Sequence, residues 1–389
     1  MAAGLVLRNA VLWDGTGAAP RRGVTLAIRD GRVADGPAGE DARVVDVAGR
    51  TVLPGLINVH VHLTLDGEPN PAATVAHQRG ARGAARVIRN AERTLRAGVT
   101  TVRDLGAGDH GVLELRGELG PRVLAAGRCI TMTGGHGHFI GVEADGPVEV
   151  ARAVRHELKA GADVVKLIAS GGVLTAGTAP GAPSFSPAEL ASGIEEAHKA
   201  GRRVAAHAIG TRSIKNALAA GIDTVEHGSY LDDEALGLLR ARGATLVSTL
   251  SAYHQVVAHG RTAGIPTDAV AKAEAAIEAN TRSFQSAVRA GVRVAAGTDA
   301  GTPFNPHGGI ALELELMVKA GLTPAQALLA ATRDAAATLG LEAEIGTVEP
   351  GKAGDLLIVD GDPLATIADV ARVAAVVRAG ALIPVGGLR

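Results

Sequence analysis

From about residue 56 one local pattern recurs along the chain: an apolar run, a polar or glycine-rich loop, then an amphipathic helical stretch. The runs that fit strands are LINVHVHL, VTTVRDLG, RVLAAGRCITM, DVVKLIAS, RVAAHAI, TVEHGS, TLVSTLS and RVAAGTDAG. Between them lie helical segments such as VEVARAVRHELKAG, PAELASGIEEAHKAG, TRSIKNALAAG and DDEALGLLRARG, most closing on Ala-Gly or Arg-Gly as a glycine C-terminal cap requires. Eight strands alternating with helices predict an α/β fold, a (β/α)8 TIM barrel over residues 56–344. Aromatic residues make up only 2% of a chain that is 47% hydrophobic, so its core must be built from Ala, Val, Leu and Ile, which suits such a fold.

The flanks read differently. Residues 4 to 52 alternate apolar and polar positions around Asp-Gly turns, which predicts a small antiparallel β unit. After a helix over TPAQALLAATRDAAATLG the β pattern returns in GTVEPGKAGDLLIVDGDP and VAAVVRAGALIPV. Residues 1–55 and 345–389 are therefore expected to join in one small β-sandwich domain beside the barrel. GGVLTAGTAPGAPSFS, rich in Gly, Ala and Pro, is a candidate flexible cover.

In a barrel of this kind the chemistry sits at the C-terminal ends of the strands. His60 and His62 end the first strand, Lys166 lies in the fourth, His207 in the fifth, His227 in the sixth and Asp299 in the eighth. Positions i and i+2 of a strand share a face, so His60 and His62 can reach one cation together. An isolated His-x-His is equally compatible with two satisfied core histidines. Four further strands bringing His, Lys or Asp to the same mouth favour a common metal, because burying such groups without a shared partner would cost about several kcal/mol each. The one cysteine, Cys129, excludes an internal disulfide and a thiolate cage. Ligands must come from His, carboxylate or Lys.

With 39 basic and 40 acidic residues and no block of like charge, nothing in the chain favours nucleic acid or a membrane surface. The N-terminal residues lack the pattern of an export signal, and no apolar run reaches the roughly 18 residues of a membrane span. A cytoplasmic protein is expected.

The strings LPGLINVHVHLT, VTTVRDLG, TGGHGH, ADVVKLIASGGV, VAAHAIG, TVEHGSYLDDEAL, AAGTDAG and GTVEPGKAGDLLIVDGDPL resemble the metal-dependent amidohydrolase superfamily. They look most like its imidazolonepropionase-like branch, which holds Xaa-Pro dipeptidases (prolidases) and Xaa-Lys/Arg carboxypeptidases. The resemblance implies two divalent metal ions, zinc by expectation. His60, His62 and Asp299 would hold the first and His207 and His227 the second. Lys166 would bridge them as an N-carboxylated lysine formed from CO2, since an ammonium carries no lone pair; a buried lysine paired with an acid is the other reading. The metals would share a hydroxide as nucleophile, with Asp299 as general base and then acid, or else Asp299 is a helix N-cap. His136 is implied as the group on the substrate carbonyl and Tyr230 as a hydrogen-bond partner of the same atom, with loop packing as the alternative for Tyr230.

Other groups are less directed. Arg103 and Asp104 read as a structural ion pair at the mouth. His110, His254 and His307 are expected in loops near the pocket or exposed, His138 is ambiguous, and His77, His156, His198 and His259 fall on surface helices. Where the family usually shows His-Gly and a polar pair before Glu, this chain has NPHGGIALELELM, with Gly309 and Ile310. The expected activity is cleavage of a dipeptide (Xaa-Pro or Xaa-Lys/Arg) or an N-acyl amino acid, and the resemblance implies a homo-oligomer. The alternatives are an ochratoxin-type amide, cyclic amide, carbamate, ester or lactone, and, outside enzymes, a metal-stabilised binding scaffold.

Overall fold

The computed structural model describes residues 4–77, 80–175, 179–260, 262, 265, 267–386 and 388. The chain begins with five strands, β1 Leu5–Leu12, β2 Arg21–Arg29, β3 Arg32–Val33, β4 Arg43–Asp46 and β5 Thr51–Pro54. The β2–β3 hairpin turns on Asp30 and Gly31, both at positive φ, the conformation an Asp-Gly turn supplies. The expected wholly antiparallel unit is not what forms: β1 pairs antiparallel with β2 but parallel with β4 and β5. The register shift between Leu7 and Ala10, with Asn9 at φ 59°, divides β1 so that its first half meets β4 and its end meets β5.

Nine strands follow: β6 Leu56–Val61, β7 Val99–Asp104, β8 Arg122–Ala125, β9 Cys129–Thr131, β10 Gly141–Glu143, β11 Val164–Ile168, β12 Arg203–Ala208, β13 Thr224–His227 and β14 Thr245–Val247. They form two parallel sheets, β6-β7-β8 and β10-β9-β11-β12-β13-β14. The expected third strand is split, because Gly127 takes a left-handed conformation between β8 and β9 and passes against Glu157 where a Cβ would collide. The expected eighth strand, 293–301, is not a regular strand. It closes the barrel through the bridges Leu246↔Val294 and Val61↔Ala300, with Asp299 N donating to His60 O at 2.8 Å. Asp299 itself stands at φ 58°, which breaks the pleat.

The helices end as their glycines predict: Thr211–Ala220 and Asp233–Arg242 stop at Gly221 and Gly243 in the left-handed conformation. Pro187–Lys199 starts with a complete Ser186/Glu189 capping box. The single helix expected over 323–340 is two, Pro324–Ala330 and Arg333–Leu339. Thr332 leaves helical geometry where the Ala331 carbonyl accepts the Ile57 amide of β6.

The chain returns through β15 Leu356–Val359, β16 Val373–Arg378 and β17 Ala381–Pro384. β15 pairs antiparallel with β5, so strands from both chain ends form one eight-stranded sheet around its own core of Leu7, Val52, Leu356, Ile358 and Val377. The architecture is a TIM barrel flanked by a β-sandwich built from the two ends. Among the described residues, no helix is long and apolar enough to cross a membrane.

Candidate metal centre and active site

His60 and His62 emerge on one face of β6, and their Nε2 atoms each lie 3.2 Å from Asp299 Oδ1. His60, His227 and Asp299 place one ligand atom each within 4.8 Å of the others. The rings continue across the barrel mouth: His60 to His227 at 5.4 Å, His227 to His207 at 4.6 Å and His207 to His136 at 4.5 Å between centroids. Lys166 lines the same cavity. Six residues named from the sequence thus converge, although they are carried by five strand segments spread over 240 residues. His227 and Asp299 both sit at positive φ, backbone strain of the kind that collects at functional sites.

Each histidine commits one ring nitrogen away from the centre. Nδ1 of His60 meets Glu226 Oε2 at 2.8 Å, Nδ1 of His62 meets Gly106 O at 2.9 Å, and Nδ1 of His227 meets Thr249 Oγ1 at 2.7 Å. In each case Nε2 remains to ligate. His207 is reversed, its Nε2 meeting Gly171 O at 3.1 Å, which leaves Nδ1 for that role. Such outer partners fix tautomer and ring angle in metal sites.

The protonation states agree. Burial lowers His227 to about 3 and holds His207 well below its ordinary value, with His136 and His227 adding to the effect, so both are neutral and carry a lone pair. Burial raises Asp299, but His60 and His62 outweigh it and keep the carboxylate ionised. His62 is raised against its burial by the hydrogen bond and charge of Asp299, and the field that draws a proton there would draw a cation. Burial brings Lys166 down to about 8, and among the described residues its Nζ has no hydrogen-bond partner. A lone lysine amine 2% exposed with nothing to receive its protons is the strongest sign that another group belongs beside it. The donor set, four imidazoles, a carboxylate and a carboxylatable amine, fits divalent metal.

Two groups stand otherwise than expected, and others were not anticipated. Arg103 and Asp104 do not pair with each other, because successive strand residues face opposite sides. Arg103 turns into the barrel, where Nη2 donates to Glu226 Oε1 at 2.9 Å. Asp104 accepts the amides of Leu63 and Gly106, and burial raises it to about 6. Glu226, fully buried, is raised by burial but held far below the usual carboxylate range by Arg103, His60 and Lys166. Two opposite lone charges inside apolar strands were the signal for this pair. Glu313, buried on helix Ile310–Lys319, accepts the amides of Leu250 and Ser251 at 3.0 and 2.8 Å. It thereby caps helix Leu250–His259, directly after Thr249.

The cavity above the cluster is walled by Leu65, Phe139, Ile140, Ile168, Val173, Leu174, Ile209 and Val256. His136 lines it, its Nδ1 2.9 Å from Thr175 Oγ1, and burial lowers it to about 4. Tyr230 does not line it. Its amide donates to Ile209 O and its carbonyl accepts from Thr211, leaving the residue 37% exposed. The tyrosine in the wall is Tyr253, 5% exposed, with its hydroxyl 2.9 Å from Ser229 Oγ and its ring 6.3 Å from His227.

Asp299 caps no helix; the nearest following one begins at Ile310. His110, His138, His254 and His307 are absent from the lining: His110 pairs with Glu157, His138 with Gly135 O, and His307 with Leu65 O. His156, His198 and His259 are exposed. Gly309 and Ile310 also lie outside the lining, so the departure from the family pattern does not alter the cavity wall directly. Of the candidate cover GGVLTAGTAPGAPSFS, residues 176–178 lie outside the described residues.

A family model described as the amidohydrolase family matches residues 51–383. An ochratoxinase from Aspergillus niger is 32% identical over 347 residues, covering 81% of this chain and 71% of its own. The crystal structure of a Xaa-Pro dipeptidase with methionine bound in its active site superposes with a TM-score of 0.91 at 30% identity, covering 98% of this chain and 100% of the other. A prolidase complexed with N-methylphosphonate-L-proline gives a TM-score of 0.89 at 29% identity, with the same coverage.

Proposed function

The chain belongs to the amidohydrolase family, and we propose that it hydrolyses the amide bond of an N-acyl amino acid or Xaa-Pro dipeptide whose side groups are apolar. The observation that carries this reading is the buried cluster of His60, His62, Lys166, His207, His227 and Asp299 opening directly into an apolar cavity. Among the described lining residues no carboxylate other than Asp299 is present to pair with a cationic side chain. Xaa-Lys/Arg substrates are therefore disfavoured within this class.

In this reading His60, His62 and Asp299 would hold one divalent cation and His207 and His227 a second, and Lys166, carboxylated by CO2, would supply anionic oxygen ligands to them. Zinc suits imidazole and carboxylate ligands. When bound, such cations supply Lewis acidity toward the scissile carbonyl and a water molecule. Asp299 takes the proton that water loses as it adds to the carbonyl carbon. It returns that proton to the amide nitrogen as the C–N bond breaks, so the products are a carboxylic acid and an amine, and the acid then gives its proton to the amine or to water. His136, neutral, would present Nε2–H to the developing oxyanion in the tautomer whose Nδ1 accepts from Thr175 Oγ1. Leu65, Phe139, Ile140 and Val256 exclude water and seat the apolar group of the substrate. In this assignment Tyr253, not Tyr230, is the tyrosine beside the reacting atoms.

One observation favours a second reading. Apart from Lys166, none of the described lining residues is a Lys or Arg able to hold a substrate carboxylate, which suits an aryl or alkyl amide that carries no carboxylate. The test is product release from a panel of Xaa-Pro and Xaa-Lys/Arg dipeptides, apolar N-acyl amino acids and aryl amides. Metal-loaded protein with bicarbonate is compared with Asp299→Asn. Cleavage of apolar N-acyl or Xaa-Pro members supports the first reading and cleavage confined to aryl amides the second. Preference for Xaa-Lys/Arg would overturn the argument from the cavity wall.

A further inference from the structure

The opposite end of the barrel holds a separate cavity of about 560 Å³. Its walls come from the first residues of strands, Arg122 of β8, Val164 of β11 and Arg203 of β12, whereas the metal-site histidines stand at strand ends. Four arginines line it, Arg103, Arg122, Arg202 and Arg203, against one carboxylate, Asp163.

Structural roles account for part of this charge. Arg103 is matched by Glu226, Arg122 Nη1 lies 3.0 Å from Glu344, and Asp163 is itself taken by Arg116. Arg203 donates to Thr338 O at the C-terminal end of helix Arg333–Leu339, a cap that uses one nitrogen and brings no anion. Among the described residues neither Arg202 nor Arg203 has a carboxylate within ion-pair distance. Gly340, whose missing Cβ would stand 3.2 and 3.3 Å from Arg203 Nη2 and Nε, leaves that guanidinium its place. Guanidinium groups crowded in a concavity repel one another, and the planar N–H fork of each matches an oxyanion.

We propose that this cavity is a binding site for a phosphate-type oxyanion, held by Arg202 and Arg203. Free phosphate and the phosphate of a small ester share that chemistry. Its lining shares no residue with that of the amide-cleaving site, and Glu226 stands between Arg103 in this wall and His60 in the other, so it is a second site and not a substrate pocket.

Metal-loaded protein is titrated calorimetrically with inorganic phosphate and, separately, with glycerol phosphate, at constant ionic strength set with chloride. The comparison is with Arg202→Gln and Arg202→Gln/Arg203→Gln, the single variant leaving the Thr338 cap intact. The expected result is a saturable event weakened about tenfold or more in the double variant and several-fold in the single one, the loss of charge-assisted bonds. Hydrolytic activity without phosphate should be unchanged in both. The tighter of the two titrants identifies the source. A phosphate event that persists unchanged in both variants belongs to the metal centre, and that result, or no saturable event with either titrant, overturns the proposal.

Discussion

Glu226→Gln is the substitution whose consequences the structure specifies most closely. The carboxylate is fully buried and accepts from Arg103 Nη2 at 2.9 Å, from Thr224 Oγ1, and from His60 Nδ1 at 2.8 Å. Glutamine keeps the shape but leaves the Arg103 charge uncompensated and puts an NH2 donor opposite a donor. Breaking a buried pair from one side costs about 3–5 kcal/mol, a large share of the roughly 5–15 kcal/mol that holds a domain together. If the new NH2 faces His60, Nδ1 must accept and the proton moves to Nε2, the nitrogen turned toward Asp299. Metal affinity then falls about 10–100-fold, as for other lost outer partners.

Urea denaturation of chelated protein measures the first effect and metal titration of refolded protein the second. Arg103→Met/Glu226→Leu separates them: removing both charges should recover most of the stability but not the metal affinity, because His60 still lacks its Nδ1 partner. A Glu226→Gln protein within about 0.5 kcal/mol of wild type, with unaltered metal affinity, would refute the reasoning. The pH dependence carries a sign. The folded carboxylate lies below its ordinary 4.5, so its contribution is complete above that value and is lost as pH falls further, where the unfolded chain binds the extra proton.

Asp299→Asn should retain the fold and lower turnover by about 10²–10⁴-fold, the range for a positioned acid–base group; near-wild-type kcat in a steady-state assay would exclude the assigned role. Activation of metal-free protein should require bicarbonate and quicken as pH rises through about 8, where the Lys166 amine becomes neutral. Mass spectrometry under mild conditions should detect the added CO2, and full activity in CO2-free buffer would contradict the carboxylation. Burial raises Glu313 to about 7, so the folded state holds a proton that the unfolded chain releases near 4.5, and stability should decline as pH rises between those values. Glu313→Gln should flatten that slope in urea midpoints, and an unchanged slope would remove Glu313 as its cause. Chelation should lower the melting temperature of the loaded protein, since a metal at 100 times its Kd adds about 2.7 kcal/mol.

Local periodicity made much of the molecule readable. His60 and His62 share a face because a strand repeats every two residues, and the barrel follows from alternation of strands with glycine-capped helices. The sequence also placed His207, His227, Lys166 and Asp299 on strands, and in a closed parallel barrel strand ends must meet. Other features depend on atoms far apart in the chain. The selection of Nε2 on His60 and Nδ1 on His207 needs Glu226 and Gly171 as partners. Arg103 finds Glu226 across 123 positions, and Tyr253 reaches the cavity because helix Leu250–His259 turns inward, capped by a glutamate 62 residues further on. The irregular closing segment at 293–301 likewise reflects Asp299 bending out of the pleat to face His60 and His62. Sequence alone indicated most of the elements and which side chains gather at the barrel mouth, because both follow from residue type and short-range spacing. Tertiary structure alone decided tautomer, ion-pair partner and cavity wall, because each is a contact whose energy exists only after distant strands have closed around it.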